Sequence, residues 1–176
     1  MKTVKIALIA IFCALSIGTN YALVGVINVK PMDFIVFVGG FLFGPVAGSS
    51  IGIGSWLIYG TINPYGFDPR IWLATMLAES IYGITGGLLR RMLGSTSFSS
   101  QRLRLSVLFA TMGFLPTVLY DLITNTVYAS VTNTPLFFAI FVSGALFAVL
   151  HEGANFLIFG VCSVPTIAAL RKVVKQ

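Results

Sequence analysis

Charge is what this chain has least of: 9% of its 176 residues are charged, and only five are acidic. A water-facing surface cannot be built from so little. With 57% hydrophobic residues and a mean hydropathy of +0.96, the sequence reads as one integral membrane domain over residues 1–176. No polar stretch is long enough to fold as a soluble catalytic domain. Cysteine is nearly absent as well: Cys13 and Cys162 sit in apolar runs without CxxC or Cys/His spacing, which excludes a thiolate metal centre and leaves buried free thiols. Catalytic signatures are missing too. HEGAN at 151–155 supplies only the first two residues of HExxH, and GIGSW and FVSGA stand where a GxSG serine motif is needed. The sequence therefore argues against an intramembrane enzyme pairing Ser55 or Ser143 with His151, and implies no cofactor. Without a GxxxxGK[ST] phosphate loop, ATP has to be handled by partners. The net charge of +6 is sorted onto helix ends, as membrane orientation requires, and does not form a nucleic-acid surface.

What is present is a series of long apolar runs, and residues 31–60, PMDFIVFVGGFLFGPVAGSSIGIGSWLIYG, decide how they are threaded. As one helix this stretch would measure roughly 45 Å, against roughly 30 Å of hydrocarbon. Gly44 followed by Pro45 offers a break, with glycine ending one helix in the left-handed conformation and proline opening the next. Basic residues fall into three clusters: Lys2 and Lys5; Arg90, Arg91, Arg102 and Arg104; and Arg171, Lys172 and Lys175. All three share the cytoplasmic side only if 31–60 is a hairpin. The expected fold is thus an all-α bundle of six transmembrane helices with both termini cytoplasmic, at about 4–26, 32–43, 45–59, 71–89, 105–128 and 136–163. The two hairpin helices are short, which implies tilting or a locally thinned bilayer.

The N-terminal lysine-flanked run shows no cleavage site and is read as a retained first helix. It carries Ala7, Ala10 and Ala14, small residues at spacings that let another helix approach closely, either within the bundle or on a partner. Asn28 and Lys30 lie in the first outer loop, and Asp33 reads as a capping charge at the start of helix 2. The second outer loop, TINPYGFDPR from Thr61 to Arg70, is turn-rich, and its Asn63 and Tyr65 suit either a lid or an interfacial connection. Helix 4 presents Trp72, Thr75, Glu79, Tyr82 and Gly86 on one face. GSTSFSSQ at 94–101 is a flexible linker. Helix 5 contains Pro116, expected to kink it, below Asp121, Asn125 and Tyr128. Helix 6 carries His151, Glu152 and Asn155, with a bend expected before Pro165.

Carboxyl groups in a membrane face the bundle interior and need a partner. Glu79, Asp121 and Glu152 are so placed, with no lysine or arginine in the spans; either they hold protons or they await a positive group. A cationic or amine-bearing heterocycle would serve, with Trp72, Tyr82 and Tyr128 adding stacking. A proton-coupled secondary carrier for a small organic cation is the rival, using these acids as a relay, although no internal repeat supports it.

The hairpin GFLFGPVAGSSIGIGSWLIYG, the six helices and the Ala10-x-x-x-Ala14 pair resemble the substrate-binding S components of energy-coupling factor (ECF) vitamin transporters. The resemblance covers nearly the whole chain. It implies capture of a vitamin-like ligand outside, then toppling of the whole protein, driven by two cytoplasmic ATPases through a transmembrane coupling subunit. It places that subunit on Ala10 and Ala14, lids at Asn28 to Pro31 and Asn63 to Arg70, and ligand contacts at Glu79, Asp121, Asn125, His151 and Asn155. The cobalt- and nickel-specific members need an N-terminal histidine, which this chain lacks. A thiamine-like compound, a thiamine precursor, a corrinoid intermediate or a purine-like amine is then the expected ligand.

Overall fold

The computed structural model describes residues 2–62, 64, 66–94, 98 and 101–173, with backbone alone at 2 and 173. No strand occurs among them. The helices are α1 (Lys2–Ala22), α2 (Pro31–Phe43), α3 (Pro45–Ile62), α4 (Pro69–Leu93), α5 (Arg102–Thr132), the single turn α6 (Leu136–Phe138), a π-helical turn (Ala139–Ser143) and α7 (Ala145–Val173). Asn63, Tyr65, Lys175 and most of the serine-rich linker lie outside the described residues. Successive helices run up and down, so the connections around 23–30, 66–68 and 133–135 gather at one end, called upper below.

The corner between α2 and α3 follows from two adjacent residues. Gly44 has φ 95° and ψ 166°, a glycine-only conformation rather than the left-handed helical one expected, and Pro45 begins α3 at once. At the other end of α3 the chain turns through Gly66 and enters α4 at Asp68. There Asp68 Oδ1 accepts from the backbone N–H groups of Arg70 at 2.8 Å and Ile71 at 3.4 Å. The Arg70 guanidinium hydrogen-bonds the same carboxyl and holds it below the usual carboxylate range.

Helix α2 is the pillar of the bundle: every residue from Met32 to Leu42 except Phe34 is buried. A helix apolar all round belongs inside, and here α1, α3, α4 and α7 enclose it. Its 13 residues span about 20 Å, and because protein surrounds it, this length sets no demand on the bilayer. Glycines make the enclosure close. A Cβ on Gly40 would lie 2.0 Å from Gly83 O, one on Gly83 2.1 Å from Gly48 C, and one on Gly86 2.2 Å from Phe37 O, so α2, α3 and α4 meet backbone to backbone. Phe37, Phe41, Phe109 and Phe159 fill the space between this trio and the α5–α7 pair, with Phe37 and Phe159 centroids 5.0 Å apart.

Several details depart from the sequence reading. Helix α1 ends at Ala22, and residues 23–26 form turns. Neither Pro116 in α5 nor Pro165 in α7 ends its helix. A π-turn without counterpart in the sequence reading comes just before buried Gly144, where a Cβ would stand 2.4 Å from Ala139 O. At the lower end Arg90 donates to the Phe41 and Leu42 carbonyls in the last turn of α2. Arg171 lies 4.4 Å above the Phe98 ring. Ala7, Ala10 and Ala14 are exposed, while Cys13, Ser16 and Asn20 carry the inward side of α1. Three helices, Thr3–Ala22, Arg102–Thr132 and Ala145–Lys172, are long and apolar enough to cross a membrane.

Since the Gly83 contact is backbone against backbone, no rotamer change relieves an added methyl. Gly83→Ala is expected to cost about 1–3 kcal/mol, read as a lower unfolding temperature in detergent; unchanged melting would mean the seam is looser than this.

Candidate functional site

Six polar side chains from four helices meet in the upper half of the bundle. His151 and Asn155, one turn apart on α7, both reach Asp33 in the first turn of α2: His151 Nε2 lies 2.6 Å from Asp33 Oδ2, and Asn155 Nδ2 donates to the same oxygen at 2.7 Å. On its other side His151 Nδ1 stands 3.0 Å from Asp121 Oδ1 of α5. Asn155 Nδ2 also donates to Thr117 Oγ1 at 2.8 Å, and Tyr82 of α4 donates to that hydroxyl at 2.8 Å. Asp33, Thr117, His151 and Asn155 are all 0% exposed. With a proton on each ring nitrogen, the imidazole donates to both carboxylates, and the ion pairs are enclosed on all sides.

Asp33 is thus no helix cap. The N-cap position is Lys30, no side chain caps α2, and Pro31 at the first position leaves one fewer N–H to satisfy. The expectation that the acids lack an interior base is overturned as well. His151 sits between two of them, and Lys30 faces the cluster, its Nζ 5.3 Å from the Tyr120 ring and its charge acting on both Asp33 and Glu79.

Glu79 is also fully buried, and its Oε2 accepts from the Trp56 indole at 3.1 Å. Its Oε1, with Asp33 Oδ1 and Asn155 Oδ1, finds no donor among the described residues. Trp72, one helix over, donates from Nε1 to the Trp56 carbonyl at 3.1 Å.

Above these groups three cavities open at the upper end. One of ≈310 Å³ lies between α1, the 23–30 connection and α3, lined by Asn20, Lys30, Trp56, Tyr59 and Phe147 among others. A second, ≈430 Å³, has Trp56, Phe67, Trp72, Thr75 and Tyr128 in its wall. The third, ≈320 Å³, is bounded by Asn125, Tyr128, Ser143 and Phe147. Trp56, Tyr128 and Phe147 are each common to two of the three, and the volumes are those of small-molecule sites. Asn28, at φ 53°, donates from Nδ2 to Phe147 O at 2.7 Å and so ties the 23–30 connection to the start of α7.

The sequence-predicted residues therefore fall into distinct groups. Glu79, Tyr82, Asp121, His151 and Asn155 are brought together, but beneath the three cavities. Trp72, Asn125 and Tyr128 line cavities. Glu152 is half-buried and stays outside the hydrogen-bonded network, facing Asp121 and His151 only at longer range. Asn28 and Lys30 roof the first cavity, and Asn63 and Tyr65 lie outside the described residues. Asp33, Trp56 and Thr117 were missed. Asp33 had a signal available, since a polar residue near the start of a helix apolar all round has no outward face to occupy; Trp56 shares the Gly52 and Tyr59 side of α3.

Removing His151 strands two buried carboxylates. His151→Ala is expected to lose about 3–5 kcal/mol of stability, and adding Asp121→Asn to recover part of it, as judged by thermal unfolding of the single and double variants. Equal melting of His151→Ala and parent would show that the pairing is not formed.

Compared with known families, residues 1–172 match the model described as "ECF-type riboflavin transporter, S component". Comparison with curated proteins gave no match, and neither did comparison with solved structures. A match over nearly the whole chain, on an all-helical bundle with membrane-length apolar helices, identifies the chain as a member of the ECF-type riboflavin transporter S component family.

Proposed function

We propose that this protein captures a flavin, a neutral flat ring system with a polyhydroxyl chain, in the cavities at its upper end. As an S component it is a membrane-embedded, substrate-binding subunit of an ECF vitamin importer, pairs with ECF module subunits in the membrane, and is not an enzyme. The choice of ligand rests chiefly on one observation: His151 stands between Asp33 and Asp121. The cationic, thiamine-like ligand expected from the sequence rested on acids with no lysine or arginine beside them. One of those acids, Asp121, is answered by His151, which also answers Asp33, and Lys30 adds positive charge above the cluster, so much of the support for a cation falls away. Trp56, Tyr59, Phe67, Trp72, Tyr128 and Phe147 give the cavities aromatic walls suited to a flat ring. Family membership in the riboflavin group supports the same reading.

In this proposal the chain forms one membrane domain that crosses six times. Lys5, Arg90, Arg91, Arg102, Arg104, Arg171 and Lys172 gather at the end opposite the cavities, so the cavities face outward. The 23–30 connection, pinned by Asn28, serves as a lid. The exposed alanine face of α1 receives the coupling subunit, through which two ATPases drive transport.

Full-length protein purified in detergent is expected to be yellow, or to bind added riboflavin, and not to bind thiamine in equilibrium dialysis. Thiamine bound and riboflavin refused would reverse the ligand assignment. Ala10→Leu with Ala14→Leu is expected to leave riboflavin binding intact while abolishing ATP-driven uptake in cells. Uptake that persists without any ATPase but collapses with the proton gradient would restore the secondary carrier.

A further inference from the structure

We propose that Trp56 is the platform on which the ligand's flat ring stacks, and that Glu79 is a positioning residue that holds this platform without itself touching the ligand. The inference deepens the flavin reading and rests on it.

Two features of the indole lead there. First, it belongs to the walls of both the ≈310 Å³ and the ≈430 Å³ cavities, so it stands as a partition with open space on two sides. Second, it is fixed by its neighbours. Nε1 donates to Glu79 Oε2 at 3.1 Å. The Tyr59 ring meets it nearly perpendicularly, 84° between planes with centroids 5.4 Å apart. At Gly60, a Cβ would come 3.2 Å from the indole Cε3, so even the neighbouring backbone abuts it. An aromatic ring held in place beside two cavities offers a π surface to a ligand at little cost in lost side-chain motion.

Glu79 fits the second role. It is 0% exposed, it lies in the wall of neither cavity, and one of its oxygens is occupied by the indole N–H. A carboxyl so placed sets the plane of Trp56 from behind. Any acceptor of similar reach would do the same, so the effect depends on the hydrogen bond and not on the charge.

The test uses the full-length protein in detergent with riboflavin as probe, reading affinity by equilibrium dialysis and the flavin absorption spectrum at saturation. An electron-rich indole stacked on a flavin ring produces a long-wavelength charge-transfer shoulder. The parent is expected to show it. Trp56→Leu should lack it and bind riboflavin about tenfold or more weakly, the scale of one lost aromatic stack. Trp56→Phe keeps a π face but has no N–H for Glu79 to hold, so its affinity should fall between those of the parent and Trp56→Leu. Glu79→Ala should weaken binding and lose the shoulder, whereas Glu79→Gln, with an acceptor oxygen still in place, should recover both. A shoulder that survives in Trp56→Leu, or equal binding by that variant and the parent, would overturn the platform, as would Trp56→Phe binding no better than Trp56→Leu. Loss in Glu79→Gln equal to that in Glu79→Ala would overturn the positioning role. A parent protein that binds no riboflavin would instead refute the flavin reading, a separate failure visible before any variant is made.

Discussion

A charged side chain inside a lipid-embedded bundle has no water to answer it, and the upper half of this molecule depends on how that demand is met. Asp33 and Asp121 come from α2 and α5, and the group between them comes from α7, 118 residues beyond Asp33 in the chain. Hydrogen bonds that are modest in water gain strength where the dielectric is low, and the penalty for leaving one unmade grows in step. The network therefore joins three helices with more specificity than apolar packing alone provides. Asp33 ties α2 to α7, and Tyr82 ties α4 to Thr117 of α5, so the network fastens the α1–α4 part to the α5–α7 part.

This arrangement divides the bundle along its length. Directly below the network, backbone contacts at Gly40, Gly48 and Gly83 and a continuous phenylalanine cluster pack the bundle tightly. Above it lie three cavities, the π-turn and the two positive-φ asparagines, Asn28 and Asn133. A rigid base beneath an adaptable mouth suits a protein that must close over a small molecule without disturbing its own core. The network forms the boundary, supplying a floor whose charges are largely matched internally.

The hairpin was legible in the sequence because Gly44 and Pro45 break a helix for local reasons, and local chemistry survives into the fold. The polar face of α4 was legible too, since period alone places Thr75, Glu79 and Tyr82 together. What failed to show was pairing between distant segments. Asp33 looks like an ordinary first-turn acid until α7 is laid against it, and Lys30 looks like a rim residue until the 23–30 connection folds inward. The expectation of a cationic ligand counted bases within helices, and so left out a histidine already noted and a lysine one residue before a helix, both of which face the acids. The π-turn at Ala139–Ser143 had no visible signal either, because it arises where Gly144 allows α7 to lean against α5.

Helix α1 links the two ends of this design. Its outward side carries Ala10 and Ala14, while its inward side carries Cys13, Ser16 and Asn20, so a surface left open beside the bundle and a wall of the ≈310 Å³ cavity belong to one rod of 21 residues. Near the top of that rod Tyr21 donates to the Ile62 carbonyl of α3 at 2.7 Å, and the chain then passes directly into the connection that Asn28 fastens to α7. Were the coupling subunit to dock on the alanine face, as proposed, pressure there would reach the roof of the first cavity through α1 itself, without passing through the buried ion pairs. Binding and docking can in this way influence one another while the carboxylates stay paired, and a membrane protein with so few charges depends on keeping them so.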